Sequence, residues 1–526
     1  MPIGAPGAMM ANSADGERVS RRGASTRQAQ ARGGGARQTR YWGLSNPFSP
    51  QAAISDDAVA AMHETALKVL EDLGMKVLLP EARAIYRAGG ALVDDDSQMV
   101  RIGREVVVAA LASAPGRIHM QAREAHRDVI LEPGCMVFHA GAGCPQIFDR
   151  VRGRRPGTLA DFREISQLID GFDVIHLMAA AVEPQDSPMH RRHYDTTLVQ
   201  LQSSTKVPFT YARGRAQVED CFKMIALAQG LDADFADQPR TFTVINTNSP
   251  RTLDLPMAEG IIDFARHGQV AMITPFCLMG AMAPVTVAGA LVLQHAEAMA
   301  GITLAQLTRP GAPVVYGAFA SNVAMKSGAP AFGTPEHMRA TLVSGQLARH
   351  IGLPWRGSSG AASNTADAQG ATETTLATMA AVLAGASLTV HAAGWLEGGL
   401  SFGLEKFLTD IEVLQTVAEL CAPLSVSPED MAFDAIAEVA PGGHFFGSAH
   451  TMDRFRQAFY EPVVSDWSNH DQWTEAGQPR ADERATGIWQ NRLAAFNPSL
   501  KALEGLSPVR DFIDRRLAGG GALPMS

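Results

Sequence analysis

The chain has 526 residues, of which 46% are hydrophobic and 19% charged, and its formal net charge is −9. This balance is typical of a globular protein with a large interior, and the length predicts one large domain with additions or two to three domains. The negative charge argues against nucleic acid as a partner.

The N-terminal segment, residues 1–44, differs in composition from the rest of the chain. Its arginines lie among glycine, alanine, serine and glutamine, at Arg18, Arg21, Arg22, Arg27, Arg32, Arg37 and Arg40. Such a segment buries too little apolar surface to fold alone, so we interpret it as a disordered basic tail. A transit peptide is the alternative, although the glycines argue against an amphipathic helix.

Residues 45–136 are predicted to form a small α+β cap. Residues 55–73 carry apolar side chains at helix spacing, with Ser55 as the N-cap and Gly74 as the stop. A second helix is predicted after Pro80, a third over residues 104–114, and two short strands within residues 91–102.

From residue 137 to residue 424, apolar runs alternate regularly with helical patterns. The runs are residues 137–143, 174–183, 207–213, 241–249, 270–280, 313–322, 353–360 and 388–398. This alternation predicts a parallel sheet covered by helices, and eight such units fit a (β/α)8 TIM barrel. An open doubly wound sheet, or two Rossmann-like halves, is the alternative, but no strand is followed by GxGxxG. Residues 425–526 are predicted to form a C-terminal helical extension.

Membrane, disulfide and metal features are weak in this sequence. The five cysteines form no CxxC pair, which favours thiols and a reducing cytoplasm. No apolar run of about 18 residues occurs, so no membrane partner is expected. His190 and His193 lie one helical turn apart, but two arginines separate them, and we predict no metal site. The Ser- and Gly-rich residues 357–367 could cradle a phosphate or form an ordinary loop.

Functional side chains of a barrel lie at the C-terminal ends of its strands, where residues two apart share a face. Aromatic and polar residues are predicted to gather there: His139, Glu183, Tyr211, Arg213, Asn246, Phe276, Phe319, Trp355, Arg356, His391, Trp395 and Glu397. Each ring face attracts a quaternary ammonium ion by roughly 0.5–2 kcal/mol. A carboxylate on the same ligand would need arginine or asparagine donors. For any single aromatic residue, ordinary packing is the alternative.

Several segments resemble the trimethylamine methyltransferase family. They are VYGAFASNVAMKSGAPAFGTPE at 315–336, SNTADAQGATE at 363–373, HAAGWLEGGLSFGLEKFLTDIEVLQ at 391–415, HETALKVLEDLGM at 63–75 and HFFGSAHTMDRFRQAFYEPVVSDW at 444–467. The resemblance covers roughly residues 45–500. It implies a (β/α)8 barrel that passes a methyl group from an amine to the cobalt of a separate corrinoid protein.

The archaeal trimethylamine enzymes of this family carry pyrrolysine, whereas this chain contains only the twenty standard residues. It therefore resembles the branch without pyrrolysine, whose members demethylate quaternary amines such as glycine betaine. The resemblance implies that the chain binds no cofactor tightly and that its partner protein supplies the corrinoid (cobalamin). A quaternary amine leaves as a neutral amine, so the protein must hold the cation, orient one methyl group and exclude water.

Under this hypothesis the candidate residues take three roles. Ring faces for the ammonium group would come from Tyr211, Phe276, Phe319, Trp355 and Trp395. Glu397 or Glu183 would supply a countercharge, and the substrate carboxylate would be held by Arg356, Arg213 or Asn246. His139 and His391 would orient these groups or serve the fold.

Two other functions remain open. A barrel that binds betaines without turnover, as a sensor, would keep the ring-lined cup. A lyase or hydrolase would need a perturbed acid–base pair at the mouth. We also expect a homo-oligomer located in the cytoplasm.

Overall fold

The structure is a computed structural model that describes residues 40–231 and 238–525. Most of the predicted basic tail, residues 1–39, lies outside the described residues. The chain divides into two compact units, of which the larger comprises residues 40–424 and 462–525 and the smaller, as described, residues 425–461. The predicted boundary between cap and barrel near residue 136 stays a prediction.

The strands, all in the large unit, are short. In chain order they are β1 Leu44–Ser45, β2 Met75–Val77, β3 Leu92–Asp94, β4 Met99–Arg101, β5 Ile118–Met120, β6 Val129–Leu131, β7 Cys135–Phe138, β8 Gln146–Phe148, β9 Arg155–Pro156, β10 Phe242–Ile245, β11 Thr252–Leu253, β12 Val270–Ile273, β13 Phe276–Met279, β14 Val314–Gly317, β15 Phe319–Val323, β16 Pro330–Ala331, β17 Trp355–Ser358, β18 Leu388–Val390, β19 Trp395–Leu396 and β20 Ser401–Gly403.

Helices make up most of the remaining regular structure. In chain order they are α1 Asp56–Lys68, α2 Pro80–Ala88, α3 Arg104–Ser113, α4 Leu159–Asp170, α5 Arg192–Ser203, α6 Arg215–Ala228, α7 Leu255–Arg266, α8 Val287–Thr308, α9 Pro335–His350, α10 Ala368–Leu383, α11 Leu404–Leu420, α12 Pro428–Met431, α13 Phe433–Glu438, α14 Ala449–Arg454, α15 His470–Glu475, α16 Ala481–Ala495, α17 Leu500–Leu503 and α18 Leu506–Ala518.

A parallel sheet organises the large unit. Its strands lie in the order β7, β18, β17, β14, β12 and β10, and β1 adds to β7 in antiparallel direction. Helices α7 to α10 connect successive strands of this sheet along the chain. The strands are almost wholly buried, as expected when helices cover a parallel sheet. The predicted mixed α/β architecture is therefore confirmed.

Two of the eight predicted strands are reduced to isolated bridges. Residues 174–183 and 207–213 contain no strand, but Leu177 bridges Val207 and Phe209 bridges Phe242 in parallel. On its other side, residues 174–183 contact β7 through a 2.9 Å hydrogen bond from His176 N to Phe138 O. Pro208, between the two bridged residues Val207 and Phe209, has no N–H to donate, which limits regular pairing there.

Three other predicted strands are interrupted, and one of them, 388–398, is divided into β18 and β19. The predicted run 270–280 is divided into β12 and β13, with Pro275 between them, and 313–322 into β14 and β15. The second halves form a separate sheet in which β13 pairs with β15 and β15 with β16. Each break redirects the chain at the end of a sheet strand, and Phe276 and Phe319 begin the redirected halves.

The predicted N-terminal elements are confirmed. Ser55 Oγ caps α1 by accepting from Ala58 N at 3.3 Å, and one π-helical turn extends the helix to Gly74, whose φ is +69°. The predicted pair of short strands forms the antiparallel β3–β4 hairpin. Helices α1, α2 and α3 pack against α8.

Helix α8 is long and apolar enough to span a membrane by length and composition, the one such helix among the described residues. However, 72% of its most apolar stretch is buried inside the protein. Its hydropathy is accounted for by packing between the N-terminal helices, α7 and the sheet.

Candidate active site

A cavity of about 340 Å³ lies where the strands of the parallel sheet end. Asn246 and His391 directly follow β10 and β18, while Phe276, Phe319 and Trp395 begin the short strands beyond the sheet. The structure brings together half of the predicted site residues as cavity lining: Tyr211, Asn246, Phe276, Phe319, His391 and Trp395. These six aromatic and polar side chains therefore share one cavity, and their roles in binding stay predictions.

Rings surround the cavity in a connected cluster centred on Phe319. Its ring centroid lies 4.8 Å from that of Phe276, 5.3 Å from that of His391 and 6.3 Å from that of Trp395. The His391 and Trp395 rings are closer still, at 3.7 Å. Aromatic contacts of this kind stabilise the relative positions of the rings that line the cavity.

Arg356 lies behind this lining rather than in it. Its side chain is 1% exposed, and Nη2 lies 3.1 Å from His391 Nε2. Nη1 donates to Ser358 Oγ, and the guanidinium carbon lies 5.2 Å from the Phe319 ring centroid. Burial lowers the pKa of Arg356 to about 9, so it stays charged at neutral pH. No carboxylate among the described residues pairs with it.

The contact with Arg356 determines the protonation of His391. A guanidinium can only donate, so His391 Nε2 is the acceptor and the ring proton is on Nδ1. Burial, and then the charge of Arg356, hold the pKa of His391 well below its ordinary value, which keeps the ring neutral. Nδ1 is buried and has no partner among the described residues. His391 lines the cavity and therefore carries a buried N–H donor that is not used by any described residue.

His139 lies deeper. It is fully buried, and its Nε2 donates to the carbonyl of Met178 at 3.1 Å. Burial lowers its pKa to about 4, with a further contribution from Arg356. It does not line the cavity, so the structure gives it a supporting position.

Glu183 and Arg213 also lie outside the cavity, where they neutralise each other. Arg213 donates to both carboxylate oxygens of Glu183 at 2.7 and 3.0 Å, and Arg192 binds the same carboxylate. Burial acts to raise the pKa of Glu183, but the two arginines outweigh it and the pKa is lowered. Arg213 also covers one face of Tyr211, at 4.0 Å from the ring centroid.

Glu397 does not continue the face shared by His391 and Trp395. Both His391 and Glu397 have positive φ, 58° and 53°, so the alternation of side chains ends at β18. The Glu397 carboxylate pairs with Arg154 at 2.9 Å and accepts from Ser401 at 2.7 Å. Burial acts to raise the pKa of Glu397, but Arg154 and Ser401 outweigh it, so the pKa is lowered. The charge of the carboxylate is already compensated by Arg154.

Trp355 lies on the opposite side of its strand from the cavity. Arg356 points inward, so its neighbour Trp355 faces the helices, as strand alternation requires. The indole is 2% exposed, donates to Gly385 O at 2.9 Å, and lies close to Gly345 of α9. The expected ring face is supplied instead by Phe209, which the period of two places on the same face as Tyr211.

The Ser- and Gly-rich loop 357–367 is organised by a carboxylate. The N–H groups of Ala362 and Ser363 donate to Glu373 Oε2 at 2.8 and 3.0 Å. Gly360, with φ +122°, approaches Trp395 so closely that a Cβ there would lie 3.1 Å from the indole. These donors are occupied, so this loop supports the wall of the cavity rather than a phosphate.

Comparison with known proteins finds relatives that match most of this chain. The chain is 32% identical over 465 residues to the glycine betaine methyltransferase of Desulfitobacterium hafniense, covering 88% of this chain and 96% of that protein. It is 30% identical over 446 residues to a trimethylamine methyltransferase MttB of the same species, covering 84% and 90%. The solved monomethylamine methyltransferase of Methanosarcina barkeri aligns with a TM-score of 0.48 and 8% identity over 93% of this chain and 97% of that one.

The profile of one protein family matches nearly the whole chain. It is described as trimethylamine methyltransferase (MTTB), and the match runs over residues 20–521. A match of this extent includes the sheet, the ring-lined cavity and the C-terminal helices. The chain therefore belongs to the trimethylamine methyltransferase family.

Proposed function

We propose that this protein transfers a methyl group from a carboxylate-bearing quaternary amine, such as glycine betaine, to the cobalt(I) of a corrinoid carried by a separate protein. One observation carries the proposal: the cavity is lined by rings, and a buried guanidinium without a carboxylate partner lies directly behind it. Similarity to a glycine betaine methyltransferase supports the same substrate class.

The rings would hold the ammonium group. A trimethylammonium ion cannot donate hydrogen bonds through N–H groups, but the negative faces of aromatic rings attract it. Tyr211, Phe276, Phe319 and Trp395 present rings to one cavity, and Arg213 occupies only one face of Tyr211. Neither Glu183 nor Glu397 is needed as a countercharge, because each is already paired with arginine.

The carboxylate would bind at the His391 side. There the Nδ1–H group of His391 is unused, and the positive charge of Arg356 lies behind it. Asn246 adds an amide to the same lining. A betaine carries its carboxylate and its ammonium group on separate ends. It would thus place the carboxylate toward buried Arg356 and the ammonium group toward the rings.

The reaction needs no proton transfer. As the methyl carbon accepts an electron pair from cobalt(I), its bond to nitrogen breaks and that pair stays on nitrogen. The products are a neutral tertiary amine and a methylated corrinoid. Neutral His391 and His139 fit this chemistry, because neither is required as a base. The protein's contribution is orientation of one methyl group and exclusion of water.

The mouth of the cavity suits a large, partly apolar acceptor. Leu400 lines the cavity and is also exposed. Val285 and Met325 are also exposed, and both side chains lie close to Gly280, which follows β13. Exposed apolar side chains such as Leu400 at the cavity suit a corrin ring that approaches from outside and is supplied by a partner protein.

We further propose that the parallel strands close into a (β/α)8 barrel over residues 137–424, with residues 45–136 as cap. The sheet supplies six strands, and the bridges from Phe242 to Phe209 and from Val207 to Leu177 supply two more positions. The hydrogen bond from His176 N to Phe138 O would complete the ring at β7. An experimental structure with an open edge at β7 or β10 would refute closure.

The direct test combines the purified full chain with chemically reduced cobalamin and a panel of amines. Glycine betaine, proline betaine and carnitine should each be tried against choline, which has the same ammonium group but no carboxylate. We expect loss of cob(I)alamin absorbance with at least one betaine and little with choline. If no betaine methylates cobalamin yet glycine betaine binds, the sensor function is favoured instead.

A further inference from the structure

Helix α8 carries two buried polar side chains that contact the segments forming the cavity wall. Gln294 and Glu297 lie three residues apart, so they share one side of the helix, and both are fully buried. Burial of a polar group costs free energy unless the group is hydrogen-bonded. The partners of these two side chains therefore show what the helix holds in place.

Gln294 binds the backbone of Phe319, the residue at the centre of the ring cluster. Its Oε1 accepts from Phe319 N at 3.2 Å, and its Nε2 donates to Ser344 Oγ of α9 at 3.3 Å. The N–H group of the preceding residue, Ala318, donates to Arg356 O at 3.0 Å. Two consecutive backbone groups are thus held by different partners, so the direction of the Phe319 ring depends in part on Gln294.

Glu297 binds the loop that follows β10. Its Oε2 accepts from Thr247 Oγ1 and from Ser249 Oγ, both at 2.6 Å, and its Oε1 accepts from Arg251 N at 2.7 Å. Thr247 directly follows Asn246, which lines the cavity. One carboxylate therefore fixes both the beginning and the end of this loop.

Ser249 extends the contact from Glu297 to a second part of the cavity wall. Its Oγ lies 3.3 Å from Cys277 Sγ, and because the Ser249 proton is donated to Glu297, the thiol is the donor in this contact. Cys277 is fully buried in β13 and directly follows Phe276, whose ring lines the cavity. Helix α8 is therefore connected by hydrogen bonds to the segments that carry Asn246, Phe276 and Phe319.

We propose that Gln294 and Glu297 are positioning residues for the methyl transfer, which hold the Phe319 ring and the Asn246 amide at the spacing that a betaine needs. This role rests on the proposed function, since that reaction needs one methyl group in a fixed orientation. Neither side chain lines the cavity, so both act through the residues that they hold. A small misplacement of the reacting groups lowers the rate strongly, so loss of either contact should lower kcat more than it raises KM.

Gln306 offers a matched control near the other end of α8. It is 2% exposed, its Oε1 accepts from Gly311 N at 2.8 Å, and its Nε2 donates to Ala312 O at 2.8 Å. Gly311 and Ala312 precede β14, whereas the cavity lies where the strands end. Methionine has a similar length but no amide, so Gln294→Met and Gln306→Met remove equivalent contacts at opposite ends of the sheet.

The first experiment measures kcat and KM of the full-length wild type and both variants, with chemically reduced cobalamin and the betaine that the wild type demethylates fastest. Rates are expressed per folded protein, from urea unfolding curves. Both variants should unfold at lower urea concentration, but only Gln294→Met should lower kcat, by about 10- to 100-fold. Equal kcat for the two variants overturns the positioning role. A wild type that is inactive with every betaine refutes the proposed function itself, and this role with it.

A conservative exchange tests Glu297. In Glu297→Gln the amide oxygen can still accept from Arg251 N, and the NH2 group can donate to Thr247 and Ser249, whose hydroxyl groups also accept. Glu297→Met removes all three contacts. We expect Glu297→Gln to keep kcat within about 3-fold of wild type and Glu297→Met to lower it by about 10-fold or more. An equal loss in both variants contradicts positioning by the loop contact, and if Glu297→Met does not fold, the two glutamine variants decide.

Discussion

The Nη2 atom of Arg356 lies 3.1 Å from Nε2 of His391, so a buried cation determines which nitrogen of the histidine carries the proton. Nδ1 therefore carries the ring proton, as a buried donor that has no partner among the described residues. A positive charge that meets no carboxylate is costly in a protein interior, and a substrate carboxylate would offset this cost.

Replacement of Arg356 by methionine should separate substrate binding from stability. We expect KM for glycine betaine to rise by on the order of 100-fold, since removing one partner of a buried charge pair costs about 2–5 kcal/mol. The melting temperature without substrate should stay the same or rise, because an uncompensated charge is removed from the interior. Steady-state kinetics and calorimetry check both parts, and a large drop in melting temperature would contradict the second.

His391→Phe should weaken betaine binding while preserving the cavity walls. Phenylalanine keeps the ring contacts with Trp395 and Phe319 but removes Nδ1–H. A lost hydrogen bond to a charged group costs about 1.5–3 kcal/mol, or roughly 10- to 100-fold in KM. Titration with glycine betaine measures this, and unchanged affinity would place the carboxylate elsewhere.

The two tryptophans predicted from sequence as ring faces should behave differently. Trp395→Leu removes a ring from the cavity and should weaken quaternary amine binding by roughly 3- to 30-fold. Trp355→Leu is the matched control: its ring is buried away from the cavity, so it should lower stability by about 3 kcal/mol but leave KM nearly unchanged. Equal effects of both variants on KM would refute the assignment.

Glu397→Gln should have little effect on substrate binding. The carboxylate belongs to an ion pair with Arg154, whose side chain is 48% exposed, and such pairs contribute about 0–1 kcal/mol. KM for glycine betaine should therefore change by less than about 5-fold. A loss as large as that from Arg356→Met would restore Glu397 as the countercharge.

The fold should lose stability in mild acid. Burial lowers the pKa of His139 and His337 to about 4, while the same groups titrate near 6.5 when unfolded. Between pH 6.5 and 4 the unfolded chain binds more protons at these histidines than the folded chain. Their contribution to the free energy of unfolding is therefore fully present above pH 6.5 and is lost as the pH falls toward 4. Urea unfolding at pH 7 and 5.5 measures this loss, and His470→Gln, at an exposed position, should leave it unchanged.

Much of this architecture follows from local patterns in the sequence. The N-terminal helices, the β3–β4 hairpin and the alternation of strand and helix were predictable because their apolar periods and stop residues are strong. The interruptions at Pro208 and Pro275 were weaker signals, because a proline only limits pairing where a neighbouring strand would have used its N–H.

The site was predictable only where strand alternation holds. Tyr211, Asn246 and Phe319 follow it, whereas the left-handed backbone at His391 and Glu397 cannot be seen in the spacing of side chains. Trp355 and Arg356 are adjacent, so only one could face inward, and the sequence does not state which. The partners that neutralise Glu183 and Glu397 come from distant segments, which single-sequence reasoning does not place.

The Glu373 carboxylate influences the cavity through the loop 357–367, because it accepts two hydrogen bonds from backbone N–H groups of that loop. That loop carries Gly360, whose bare Cα leaves room for the Trp395 indole. Substitution of Glu373 on α10 would therefore alter amine selectivity, although Glu373 does not line the cavity. Engineering of this enzyme for other methyl donors should therefore vary α10, the loop 357–367 and Trp395 together.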